Sequence, residues 1–410
     1  MLVLVSPRRV NGEGSIYPYP HGYRAYVWVT TPSGRRQRKY VSGKTREAVR
    51  EKYMRLHEAS RRGPVSTQVP TLSQFLEGWL AEVVAPSLAP GTVSSYRMCT
   101  RVYIVPRLGG KRLDKLTVRD VQSWVNRLRV ECQCCSQGKD AARSEPVCCA
   151  VGRCCHQVLA EWTVHQAYAV LRAALTQAAR EELVPRNVAA LVRVPAPRIR
   201  HRAVWTGDDA RRFLESSRGA GDSLHAGYVL LLVLGLRRGE LLGLRWSDVD
   251  LEAKEARISW QLQRVDGGLV LRPTKTVSSD AVLPLPDICV AALVSHRALT
   301  NAWRLAAGEA WNDHDLVLST RFGMPIDPRN FHRKFKERSA AAGVPVVPVH
   351  STRRTCASLL VELDVHPRVA MQILRHSQIA VTMDIYSQVA SASTRKALSK
   401  LGSRLDSGSV

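Results

Sequence analysis

A handful of side chains in the second half of this sequence have the types and spacing to act on a phosphate. His350 and Arg353 stand three apart, so at a helix start both face the same way. An apolar run follows, and beyond it come His376 and Tyr386, the latter being the only tyrosine after Tyr228. A guanidinium can neutralise the equatorial oxygens of a phosphodiester while a phenol attacks the phosphorus. The plain alternative is a solvated pair of helices carrying an ordinary surface tyrosine.

Two cations further upstream fit the same chemistry. Arg237 follows Leu230, Leu231, Val233, Leu234 and Gly235, so it emerges from a stretch that must be core. A cation held on a buried element is rigid, as a phosphate clamp must be. Arg237 can equally pair with Glu240 at i,i+3, and the two readings are compatible if Glu240 orients the arginine. Lys275 lies in a turn between two expected strands, where a hairpin tip could bring an ammonium to a leaving 5′ oxygen. A lysine in a turn is, by itself, ordinary surface decoration.

The elements that must carry these groups are legible as periodicity. Thr206 caps a helix that opens with Asp208 and Asp209, and a very apolar helix precedes Arg237. The stretch from Ala256 to Pro284 reads as a strand, a Gly267-Gly268 turn, a second strand, a short turn and a third strand. Helices are expected near 291–307 and 331–342, and again over 390–401. Upstream, TLSQFLEGWLAEVV has a helical apolar stripe with Thr71 as its cap. Further helices are expected from Pro90 to Ile104, after Thr117, over 162–182 and over 188–191. Residues 14–42 alternate like three strands with turns at His21-Gly22 and Ser33-Gly34, and a helix capped by Thr45 runs to about Arg61. Gly63-Pro64 and the segment around Pro195 and Pro197 read as linkers.

The fold class expected is therefore multidomain and mainly α with small β elements. Residues 1–63 form a module of strands plus a helix. Residues 67–198 form a helical domain interrupted by a Cys-rich insert at 131–157. Residues 202–410 form a mixed α+β domain with a C-terminal tail helix.

Composition narrows the partner. The chain has 410 residues, 45% of them hydrophobic, with a net charge of +25. So large an excess points to a polyanion, and to double-stranded DNA before a membrane surface. Arg35, Arg36, Arg38 and Lys39 crowd one hairpin, which could enter a groove; Arg97, Arg101, Lys111 and Arg112 flank the helices that follow. Charged faces of an ordinary bundle are the bland reading of the second group. No run of about twenty apolar residues occurs, and the opening MLVLVSPRRV has its charges after the apolar patch, the reverse of a signal peptide. The expected location is the cytoplasm.

The insert holds Cys132, Cys134, Cys135, Cys148, Cys149, Cys154, Cys155 and His156. Eight ligands suffice for two tetrahedral zinc sites, or for one with spares. Adjacent Cys pairs are not ordinary finger spacing, and free thiols or disulfides are the alternatives. Any zinc here would be structural.

Taken in order, Arg237, Lys275, His350, Arg353, His376 and Tyr386 resemble the catalytic set of the tyrosine recombinase (phage integrase) family. The matching motifs are G-L-R-R-G-E, the P-T-K-T turn, H-x-x-R and L-x-H-S…Y, and the resemblance covers essentially the whole chain. It departs at Arg354, where the family often has histidine; at Arg375, where glycine is frequent; and at Asp280, where a basic residue is common. The resemblance implies an arm-type DNA-binding domain at the N-terminus and a core-binding helical domain after it. It implies a site-specific recombinase that integrates or excises a mobile element, with Tyr386 forming a 3′-phosphotyrosine. Arg237 and Arg353 would hold the non-bridging oxygens, Lys275 would protonate the leaving oxygen, His350 would assist proton transfer and His376 would bond the phosphate. No metal or ATP is needed for that chemistry. The implied assembly is a homotetramer on DNA, with an excisionase or host DNA-bending factor as candidate partners. Other classes are a type IB topoisomerase-like strand transferase and a catalytically silent DNA-binding regulator.

Overall fold

The computed structural model describes residues 16–31, 34–63, 65, 69–197, 203–274, 280–375, 378–380, 382, 383, 386 and 398–404. By its internal contacts the chain divides into two units, Met1–Arg198 and Ile199–Val410. Among the described residues no helix is long and apolar enough to cross a membrane.

The first unit begins with an antiparallel sheet of β1 (Tyr17–Tyr19), β2 (Gly22–Thr30) and β3 (Arg36–Gly43), in that order. Gly22 permits the first turn: its φ is +146°, and a Cβ there would lie 2.2 Å from the Gly43 carbonyl oxygen. Helix α1 (Arg46–Arg62) starts where the Thr45 hydroxyl accepts from the Ala48 N–H. Val27 and Val29 of β2 pack with Leu56 of α1. The pleat sends the intervening residues to the other face.

The helical part follows the expected caps closely. Helix α2 (Leu72–Trp79) opens on a capping box between Thr71 and Gln74, and runs on through a π-helical stretch. Helix α3 (Pro90–Cys99) likewise continues through a π-helical stretch. Helix α4 (Val118–Val130) opens on a second box, Thr117 with Asp120, and α5 (Glu161–Arg180) completes the group. Leu72, Leu76, Ile104, Leu171 and Leu175 form the centre of its core. The Cys-rich insert joins α4 to α5; its base is closed by the Gln133 N–H donating to the Gln157 carbonyl at 2.8 Å.

In the second unit, α6 (Gly207–Gly219) opens on a capping box between Thr206 and Asp209. The apolar helix α7 (His225–Val233) is buried along almost its whole length, and α8 (Arg238–Leu242) is a separate short helix. Strand β4 (Val249–Asp250) pairs with β5 (Glu255–Ile258), and β5 pairs with β8 (Ala281–Pro284). Strands β6 (Trp260–Val265) and β7 (Gly268–Pro273) form their own hairpin. The stretch from Ala256 expected as one strand is thus two, parted at Ser259, each with a different partner. Helices α9 (Asp287–Ala307), α10 (Pro328–Ala341), α11 (His350–Glu362) and α12 (Pro367–Leu374) follow. Trp205, Phe213, Tyr228, Phe331 and Phe335 are fully buried together at the centre. Each such ring contributes about 2–3 kcal/mol by leaving water. Of the helix expected over 390–401, residues 398–401 are described and helical, and the helix runs on to 404; the part from 390 to 397 lies outside the described residues.

Candidate active site

The site starts at a glycine. Gly235 ends the apolar segment of α7 with φ +58°, and a Cβ there would meet Leu374 Cδ2 at 2.7 Å and Cys356 Sγ at 3.3 Å. Any other residue there would be strained by the positive φ and would have to push the Leu374 side chain aside. The turn exposes the Gly235 carbonyl, which accepts from Arg353 Nη1 at 2.6 Å. Arg353 Nη2 donates to the Leu374 carbonyl at the end of α12. Two carbonyls at helix ends therefore hold one guanidinium, where the helix dipoles favour a cation.

Arg237 does not ride on a long buried helix, as its sequence context suggested. Gly235 breaks that helix, and Arg237 caps α8 instead. Its N–H donates to Glu240 Oε2 at 2.9 Å and its Nη1 to Glu240 Oε1 at 2.5 Å. Its Nη2 lies 3.4 Å from the Arg375 carbonyl. The Arg237 side chain stays 38% exposed while that of Glu240 is 3% exposed. The carboxylate thus fixes the arginine from below and leaves it facing outward.

Arg375 supplies a third guanidinium. It sits at the end of α12 in the left-handed region, φ +53°, where a glycine is the ordinary choice. Its side chain is buried and donates from Nη2 to Glu240 Oε2 at 2.8 Å. Burial by itself would raise the Glu240 carboxyl, but the Arg375 and Arg237 guanidinium groups outweigh it and hold it below the usual range. Burial, with Arg237 and Arg375 beside it, pushes Arg353 down to about 9. Three guanidinium groups around one carboxylate leave an excess of positive charge, with Arg237 open to solvent. Such a site takes an anion with several oxygens.

His350 opens α11 one turn before Arg353 and is exposed. Tyr386 is half-buried, and its hydroxyl donates to the Val365 carbonyl in the connection between α11 and α12. Burial raises its pKa, so the phenol is protonated at neutral pH. Lys275 and His376 lie outside the described residues. Gly235 and Arg375 are the site residues to which sequence reasoning gave no role. The signal for the first was a glycine closing a run of buried leucines. For the second it was a cation standing where the resembled family often has glycine.

The expected DNA contacts divide by geometry. Arg36 and Arg38 share the outer face of the sheet with Trp28, with cation–π distances of 5.4 and 4.8 Å. Arg35 is exposed beside them. Lys39 pairs in register with the buried Val27 and so points to the other face; burial lowers its pKa. Arg97 and Arg101 are exposed, whereas Lys111 pairs with Asp120 at 2.5 Å and Arg112 with Asp114 at 3.0 Å. In the insert, Cys132, Cys134, Cys135, Cys148, Cys149, Cys154 and Cys155 draw together as candidate metal ligands. The His156 ring stands outside both groups; its backbone N–H lies 3.5 Å from Cys154 Sγ.

The family model described as the phage integrase family matches residues 204–393, the span that holds this constellation. A second model, the phage integrase N-terminal SAM-like domain, matches residues 71–129. The chain belongs to the phage integrase family, the tyrosine recombinases. This integrase is 28% identical over 399 residues to a tyrosine recombinase XerC-like protein of Caldanaerobacter subterraneus, covering 90% of this chain and 94% of that one. It is 28% identical over 404 residues to an integrase of Streptomyces ambofaciens, covering 93% and 94%. The fold matches that of the Tn1549 transposon integrase solved with transposon right end DNA, with a TM-score of 0.61 and 20% identity over 80% of this chain and 99% of that one. As a member of this family the integrase is a DNA strand breakage and rejoining enzyme, and its chemistry is metal-independent.

Proposed function

We propose that this integrase recombines DNA at specific sites through a transient ester between Tyr386 and a DNA 3′ phosphate. The observation that carries the reading is the pair Arg237 and Arg353, drawn together from distant positions, with Glu240 aiming the first outward and two carbonyls fixing the second. In this reading both guanidinium groups bind the non-bridging oxygens as charge builds in the transition state. Tyr386 gives up its bond to the Val365 carbonyl and attacks; His350 assists the proton's departure. Lys275 protonates the leaving 5′ oxygen, and His376 bonds the phosphate. The 5′ hydroxyl of a partner duplex then reverses the step, so the bond energy is kept and no nucleotide is consumed.

Residues 1–63 serve as the arm-binding domain, using Arg35, Arg36 and Arg38. Residues 67–198 serve as the core-binding domain, with Arg97 and Arg101 as phosphate contacts, and residues 202–410 carry catalysis. Strand exchange proceeds in a homotetramer on double-stranded DNA in the cytoplasm, with an excisionase or a host DNA-bending factor setting its direction. The Cys-rich insert holds structural zinc.

The test is a duplex core site nicked beside the scissile phosphate, incubated with the full chain. A covalent protein–DNA adduct is expected, absent in Tyr386→Phe. A wild-type protein that binds the site and forms no adduct is a binder only. A two-site assay then separates recombination from mere relaxation of supercoils, the outcome a topoisomerase-like enzyme would give.

A further inference from the structure

We infer that the insert between α4 and α5 is built to hold two zinc ions joined by one shared thiolate, that of Cys149. This sharpens the structural-zinc reading above to a stoichiometry and a ligand set, and does not depend on the recombination chemistry.

Counting carries the first step. The insert offers seven thiols, all unlinked. They fall into two groups of four, Cys132, Cys135, Cys149 and Cys154, and Cys134, Cys148, Cys149 and Cys155, with every sulfur in a group within 4.8 Å of the others. Cys149 belongs to both. Two tetrahedra need eight vertices, and seven sulfurs supply them only if one vertex is common.

Distances carry the second. A zinc–sulfur bond of about 2.3 Å sets a tetrahedral edge of about 3.8 Å. In the first group Cys132 and Cys149 are 3.8 Å apart, and Cys135 and Cys154 are 3.7 Å apart. In the second, Cys134 and Cys148 are 3.8 Å apart, and Cys149 and Cys155 are 3.7 Å apart. Both groups are therefore sized for one ion each. Cys132 and Cys155, one from each group, approach to 3.7 Å beside Cys149. The two sites are thus adjacent, as a common vertex requires. All-thiolate tetrahedral coordination selects zinc among the abundant divalent ions.

The backbone holds this shape. The buried Asp140 accepts from the N–H groups of Val147, Cys148 and Ala150 at 2.9–3.0 Å, pinning the turn that presents Cys148 and Cys149. Gly152 then turns back in the left-handed region, φ +79°, toward Cys154 and Cys155. Few of the insert's side chains are buried, so a metal is the means by which such a loop is fastened. The insert also lies outside both family matches, which end at residue 129 and resume at 204.

The experiment uses the full chain purified under reducing conditions. Elemental analysis is expected to give two zinc ions per chain, matching the two groups. After exchange for ¹¹³Cd, two tetrathiolate resonances are expected, split by coupling through the shared sulfur. His156→Ala should keep both ions, and Cys149→Ser should abolish the splitting. One ion per chain, or two uncoupled resonances in the wild type, would overturn the shared vertex and leave a simpler structural zinc standing. No zinc, iron in its place, or a mass lowered by disulfide formation in freshly reduced protein would overturn both. A loss of metal in His156→Ala would overturn the seven-thiolate set.

Discussion

Arg375 donates from Nη2 to Glu240 Oε2 at 2.8 Å, spanning 135 positions of sequence, with both side chains almost wholly buried. Glu240 is thereby shared between a residue whose side chain is partly exposed, Arg237, and one whose side chain is buried.

This arrangement ranks two substitutions. Glu240→Gln leaves the buried Arg375 without its anion and Arg237 without its guide, a loss of about 3–5 kcal/mol. Arg375→Gly also removes a buried partner, but Glu240 keeps Arg237, and about 1 kcal/mol of left-handed strain is relieved. Urea denaturation should therefore find Glu240→Gln the more damaging. The reverse order would mean that the pair does not anchor the site.

Arg353 links site to pH. Burial and its two cationic neighbours push it down to about 9 in the free protein, and a bound phosphate pulls it back up. Below pH 9 it is charged in both states, so this group leaves affinity flat. Above pH 9 the free protein must take up a proton to bind, and affinity falls as pH rises. Anisotropy titrations of a core site with Tyr386→Phe protein should show that bend. A flat profile to pH 10 would mean that binding takes up no proton at Arg353.

Tyr386→Phe should be structurally mild. The hydroxyl's bond to the Val365 carbonyl is single and half-buried, worth about 1 kcal/mol. Adduct formation should vanish while the urea midpoint moves little. A loss beyond about 3 kcal/mol would mark the hydroxyl as structural and make the variant a poor test of chemistry.

The outer face of the N-terminal sheet should bind DNA by charge. Arg36 and Arg38 lie over Trp28, which is 44% exposed, and Arg38 also over Tyr26. Replacing both arginines by alanine should weaken arm-site binding and flatten its salt dependence by about 2 in log–log slope. Because Lys39 points to the other face, Lys39→Ala should change that slope less, and an equal change would show that the pleat does not sort these contacts.

Much of the frame was legible without coordinates, because it depends on neighbours in sequence. Thr45, Thr71, Thr117 and Thr206 cap helices through bonds spanning three residues. Arg237 and Glu240 pair within one turn. The apolar periods locate α2 and α4 for the same reason: a helix brings residues three and four apart together whatever the rest of the chain does.

What the tertiary structure alone decided involves groups that meet only after the chain has folded back. Arg353 reaches Gly235 across 118 positions, and Arg375 reaches Glu240 across 135. The strand after Ala256 divides at Ser259 because β5 and β6 find different partners. Cys149 becomes a common member of two groups only when both ends of the insert close on it. Local spacing determines which side chains are present and which way each turns; long-range packing determines which buried charge neutralises which.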